Sequence, residues 1–144
     1  MKFVLSIAAA LTALPAIACS SLHQPTDAEL FAKATAVFRA RVTETKLAKF
    51  ANPAKPSEVE EVVEARYEIR EIFKGTPSST GVVRDLPFGP GNCSLGLMAG
   101  TEYVFYPDSN GLVLIFSGSF GFLNSEGTDV KPRLEALRAL ASSR

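Results

Sequence analysis

The 144-residue sequence predicts an all-β domain, a five-stranded Greek-key barrel with one helix before it and one after. Three observations predict it. Five runs read as strands, the first two of them alternating apolar with polar side chains, the period of a half-buried strand. The second and longest run loses its phase near its end, as a strand does where it bulges to turn a barrel corner. Helical apolar spacing is confined to two stretches, one before the first run and one after the last.

Met1 and Lys2 give the chain a basic start, and Phe3 to Leu14 form an apolar run. Pro15 breaks it, and Ala16-Ile17-Ala18 is a small-x-small cleavage site. Residues 1–18 therefore read as a secretory signal peptide, short for a bilayer span, and residues 19–144 as a single domain. Thr26-Asp27-Ala28-Glu29 has the form of a capping box, so a short helix is expected with Leu30, Phe31 and Ala34 as its apolar stripe. The first strand is Val37 to Thr45, with Phe38, Ala40 and Val42 on one face and Arg39, Arg41 and Thr43 on the other. Lys46 to Ser57, holding Asn52, Pro53 and Pro56, reads as a loop.

The second strand runs from Val59 to Lys74. Its alternation of Val63, Ala65, Tyr67 and Ile69 must slip for Ile72, rather than Glu71, to be buried, which predicts a bulge. Gly75 to Gly81 is a turn, Val82 to Leu86 the third strand, and Pro87 to Cys93 an irregular loop. Tyr103 to Tyr106 and Leu112 to Phe116 are the last two strands, joined by the hairpin turn Pro107-Asp108-Ser109-Asn110-Gly111. Phe120 and Phe122 are expected to pack beneath the barrel. Asp129 caps a final helix with Pro132 in its first turn and Leu134, Leu137 and Leu140 on one side. Five short strands with a bent second one suit the oligonucleotide/oligosaccharide-binding barrel, the OB-fold.

Lys and Arg number 15, as do Asp and Glu, and removing Lys2 with the signal leaves a net charge of −1. With no tryptophan either, the composition argues against a nucleic-acid partner. No later stretch approaches about 18 consecutive apolar residues, so no transmembrane segment is expected. The export signal places the chain in a periplasmic or extracellular compartment. His23 is the single histidine. Beside one cysteine it lacks the ligand count of a metal site and the orienting groups of a thiol nucleophile. Glu58, Glu60, Glu61 and Glu64 read as a solvated strand and loop. Arg39, Arg41, Arg66 and Arg70 could line one sheet face, where acidic neighbours offset them. No paired carboxylates or nucleophile–base set can be placed together, so the chain is read as a non-enzyme with no cofactor of its own.

Three chemistries compete for Cys19, the first residue after the cleavage site. It could pair with Cys93 in the oxidising compartment beyond the membrane. It could be acylated, since Ala18 is the small residue a lipoprotein signal needs, although Ala16 stands where leucine is usual. It could remain a free thiol. Acylation and pairing exclude one another, and acylation would leave Cys93 an odd thiol.

The chain resembles the netrin-like module, the N-terminal domain of tissue inhibitors of metalloproteinases (TIMPs). The resemblance runs over most of Cys19 to Asn124. It is carried by the cysteine directly after the leader, Val37-Phe38-Arg39-Ala40-Arg41-Val42, Arg66-Tyr67-Glu68-Ile69-Arg70, Phe73-Lys74-Gly75, Asn92-Cys93-Ser94 and Ser119-Phe120. It implies a Cys19–Cys93 disulfide matching the family's first. It also implies inhibition of a zinc metalloprotease, with the amine and carbonyl of Cys19 chelating the partner's zinc. Ser20 would point into the specificity pocket. Ser21, Gly91, Asn92 and Cys93 would complete the contact ridge. The family's opening cysteine-x-cysteine is here Cys19-Ser20-Ser21, and two further disulfides and the cysteine-rich second domain of the animal inhibitors are missing. The alternative is a non-inhibitory envelope binding or interaction module, which as a lipoprotein would be anchored to the membrane through acylated Cys19.

Overall fold

Two long antiparallel strands, rich in β-branched and aromatic residues that favour a pleated surface, form the centre of the molecule. They belong to a computed structural model whose described residues are 25–51, 56–89 and 93–143. The elements are α1 (Asp27–Lys33), β1 (Val37–Ala51), β2 (Val59–Lys74), β3 (Thr80–Asp85), β4 (Glu102–Phe105), β5 (Phe120–Phe122) and α2 (Val130–Ser142). The five strands make one antiparallel sheet in the order β3-β2-β1-β4-β5. The expected signal peptide, residues 1–18, lies outside the described residues.

β2 has the bounds its alternation predicts, and the expected bulge is present. Arg39 faces Glu71 while Ala40 faces Ile69, which leaves Arg70 without an opposite residue. The slip puts Ile69 against one core and Glu71 on the opposite face beside Arg39. It does not bury Ile72, which is 50% exposed; Phe73 goes inside instead. β1 also continues to Ala51, where a loop from Lys46 was expected. Its polar half, paired with residues 59–64, forms a two-stranded ribbon whose mixed side chains hide the strand period.

The larger departure follows β4. The turn after it does form. The Asp108 carboxylate accepts the N–H groups of Asn110 and Leu112 at 2.8 and 2.9 Å, and Asp108 N–H donates to Leu112 O. The chain then leaves β4, however, and Leu112 makes a parallel bridge to Arg84 at the far edge of the sheet. Ile115–Ser117 is a 3-10 turn that ends at Gly118, whose φ of +96° lies in the left-handed region that favours glycine. The Ser119 hydroxyl accepts the Tyr106 N–H at 3.0 Å. β4 pairs with Phe120–Phe122, not with the expected strand Leu112–Phe116. Gly121 opposes Tyr103, and a Cβ there would lie 2.5 Å from the Tyr103 ring.

Both faces of the sheet are apolar, so there are two cores. Phe38, Tyr67, Tyr103 and Phe105 lead the first, with Phe38 5.0 Å from Tyr67 and Tyr103 stacked on Phe105 at 5.3 Å. Val37, Phe73, Val104, Tyr106 and Phe122 form the second with Phe31 of α1 and Leu134 and Leu137 of α2. Phe120 packs against it too, as expected.

The capping box on α1 is complete: Glu29 N–H donates to the Thr26 hydroxyl and Thr26 N–H to the Glu29 carboxylate. Lys74 donates to the carbonyls of Phe31 and Ala32 at the other end of the helix, where a cation suits the dipole. Arg133 of α2 grips Asp27 with two hydrogen bonds of 3.0 and 3.2 Å. Asp129 stands at the α2 N-cap without a side-chain capping bond.

The second core makes a pH prediction. Burial, reinforced by the Asp27 charge and opposed by Arg133, pushes the Tyr106 phenol from 10.0 up to about 12. Its neutral form is the one the fold favours, so stability present below pH 10 is lost as pH climbs toward 12. Burial raises Tyr67 and Tyr103 as well. In an alkaline titration followed by ultraviolet absorbance, phenolate should appear together with loss of circular dichroism. Phenolate formed near pH 10 in a fully folded chain would contradict this packing.

Candidate functional site

The candidate site is the end of the sheet where β3 gives way to the loop carrying Cys93. Alternation along β3 sends its last two residues to opposite faces. Arg84 stands half-buried on the outer face, and Asp85 is fully buried on the inner one with Val83.

Arg84 joins three pieces of chain. It donates to the Glu64 carboxylate on β2 at 3.0 and 3.1 Å and to the Asn110 carbonyl in the turn after β4 at 2.9 Å. Its guanidinium lies over the Phe50 ring at 4.7 Å, fastening the β1 end of the ribbon. Its main chain accepts from Val113 N–H and donates to Gly111 O, both at 2.8 Å. The edge strand β3 is thus linked at this single residue to the segment that follows β4.

Asp85 enters no ion pair among the described residues; main-chain donors surround it instead. One carboxylate oxygen accepts Leu86 N–H at 2.9 Å and the other accepts Gly96 N–H at 2.8 Å. The Leu95 and Leu97 N–H groups also favour its charged form. Burial pushes its carboxyl above the ordinary range, and these main-chain bonds pull the other way. Tyr103 continues the tether: its hydroxyl donates to Gly96 O and accepts Met98 N–H, both at 2.9 Å. The loop is therefore tied to the core at both ends, where residues 86 and 95–98 meet Asp85 and Tyr103. Within it Phe88 is 93% exposed, an apolar side chain presented to solvent on an anchored frame.

Of the residues expected to form the contact ridge, Cys93 alone is described, and it is half-buried and not a free thiol. Cys19, Ser20, Ser21, Gly91 and Asn92 lie outside the described residues, as does His23. The acidic run is split: Glu58, Glu60 and Glu61 are exposed, whereas Glu64 is half-buried between Arg84 and Lys46. Three of the four arginines are matched by carboxylates, Arg39 with Glu102 and Glu71, Arg66 with Glu44 and Arg70 with Glu68, and Arg41 is exposed. No cluster of three or more His, Cys, Asp or Glu side chains suited to a metal ion occurs among the described residues. Nor is any helix among them long and apolar enough to cross a membrane. No protein-family model matches this chain, and no curated protein matches it.

Asp85 and Arg84 are the residues that sequence reasoning missed. The available signal for Asp85 was its phase, since a strand that buries Val83 must also turn residue 85 inward. Replacing Arg84 with Met keeps an apolar stem over Phe50 but removes the bonds to Glu64 and Asn110. Arg84→Met should lower unfolding free energy by about 1–3 kcal/mol in urea titrations. An unchanged midpoint would show that the link between β3 and the turn after β4 does not depend on it.

Proposed function

We propose that this chain is an exported, non-enzymatic inhibitor of zinc metalloproteases, a TIMP-like protein on a partly open OB-fold barrel. Cys19, unblocked after cleavage at Ala18, chelates the protease's zinc through its α-amino nitrogen and carbonyl oxygen. A catalytic zinc keeps an open position, which this pair of atoms fills. The amine must be unprotonated, and its reference pKa of about 7.7–8.0 makes that attainable beside a metal.

The anchored Cys93 loop is the observation that carries this reading. A disulfide from Cys93 to Cys19 would fix the reactive terminus to a frame held by Asp85 and Tyr103, so little ordering entropy would be lost on binding. The barrel part of the reading draws support from the five-stranded sheet and from the parallel bridge that Arg84 of its edge strand makes to Leu112, in the turn after β4. The three-way grip on α1, by Lys74, Arg133 and the packing of Phe31, holds in place the helix that follows the terminal segment in sequence. Phe88 would supply an apolar contact beside the ridge.

Intact mass of the secreted protein tests the atoms available at Cys19. Cleavage after Ala18 with loss of two hydrogens is expected. Added acyl and glyceryl mass would instead select the membrane-anchored binding module and end the chelation proposal. One alanine added before Cys19 should abolish inhibition of a susceptible metalloprotease in a peptide-cleavage assay, and undiminished inhibition would refute the mechanism. Cys93→Ser should cost about 4 kcal/mol of stability under oxidising conditions, as expected for a closed loop of about 75 residues.

A further inference from the structure

We infer that Asp85 is the positioning residue at the base of the proposed protease-contact loop: its buried carboxylate gathers main-chain N–H groups from both ends and holds the residues on either side of Cys93 at a fixed separation. This rests on the inhibitor reading for the identity of the partner, but its geometry stands apart from that reading. The carboxylate is fully buried, and its two oxygens divide their work between the start of the loop at Leu86 and its return at Gly96. Nine residues lie between these two donors in sequence, so one side chain closes the loop at its base. Tyr103 of β4 is the titratable group that faces it, and the Tyr103 hydroxyl holds the next peptide group at Gly96 and Met98.

An ionised carboxylate can accept at both oxygens, whereas an amide of the same shape accepts at one and presents a donor at the other. In Asp85→Asn, either Leu86 or Gly96 N–H would face an NH2 group, and the base of the loop would open. Asp85 touches no partner in this scheme. It acts by sparing the loop the entropy of ordering at the moment of binding.

The test compares the mature wild-type chain with Asp85→Asn and Tyr103→Phe by hydrogen–deuterium exchange. Inhibition constants are measured alongside, with thermolysin and a metzincin catalytic domain as probes. All assays run well below the melting temperature of each variant. Peptides covering residues 86–98 of Asp85→Asn should exchange at least tenfold faster, with β1 and β2 unchanged, and inhibition should weaken at least tenfold. Tyr103→Phe should give the same local pattern more weakly, and it serves alone if Asp85→Asn does not fold. Faster exchange spread evenly over the sheet would reduce Asp85 to a stability role and overturn the inference. So would unaltered exchange in 86–98, or local loosening with unaltered inhibition. A wild-type chain that inhibits neither protease defeats the inhibitor reading and the affinity claim with it, while the exchange pattern still decides whether Asp85 holds the loop.

Discussion

Because β1 is hydrogen-bonded along both edges, to β2 and to β4, its successive side chains must enter opposite faces of the sheet. At its N-terminal end both faces are apolar. Val37 is buried in the core under the helices, and the next residue, Phe38, in the core on the other side. β4 repeats the arrangement with Val104 and Phe105. A register slip of one residue along β1 would exchange the two sets and strand Arg39 inside an aromatic cluster. That constraint fixes the pairing, and the pairing fixes where β3 ends.

The same alternation explains why the end of β3 is so consequential. Arg84 and Asp85 are neighbours in sequence with opposite duties. The first ties strands and turn together on the outer face, and the second organises the loop from within. The arginine stays hydrated enough for its ion pair with Glu64 to be ordinary in energy. The aspartate has no such relief, and its burial is tolerable only because peptide N–H groups converge on it. A charge placed so deep ties the shape of the loop to the integrity of the first core.

What could be read from the sequence was whatever local periodicity dictates. The bounds of β2, the capping box at Thr26, the leucine face of α2 and the existence of a bulge near Arg70 all follow from the spacing of side chains. Tertiary contacts decided the rest. The apolar run Leu112 to Phe116 has every local mark of a strand. Yet Arg84 captures its first residues and Gly118 ends it in a turn, so the short FGF segment takes the place beside β4. The ribbon at the end of β1 was hidden because a two-stranded arm needs no buried face. Of the candidate site, Cys93 and its loop were legible, whereas the clamp was not. An aspartate before a proline- and glycine-rich stretch looks like ordinary turn chemistry until the phase of its strand is followed through.

The grip of Arg133 on Asp27 spans 106 residues of chain. A polypeptide emerging with its amino end first can form the α1 turn early but cannot seat it until nearly all of the remainder has appeared, since Leu134 and Leu137 complete the pocket for Phe31. Contacts this distant along the chain form late and slowly. The seating of α1 therefore waits on α2, so this part of the molecule is completed from its tail.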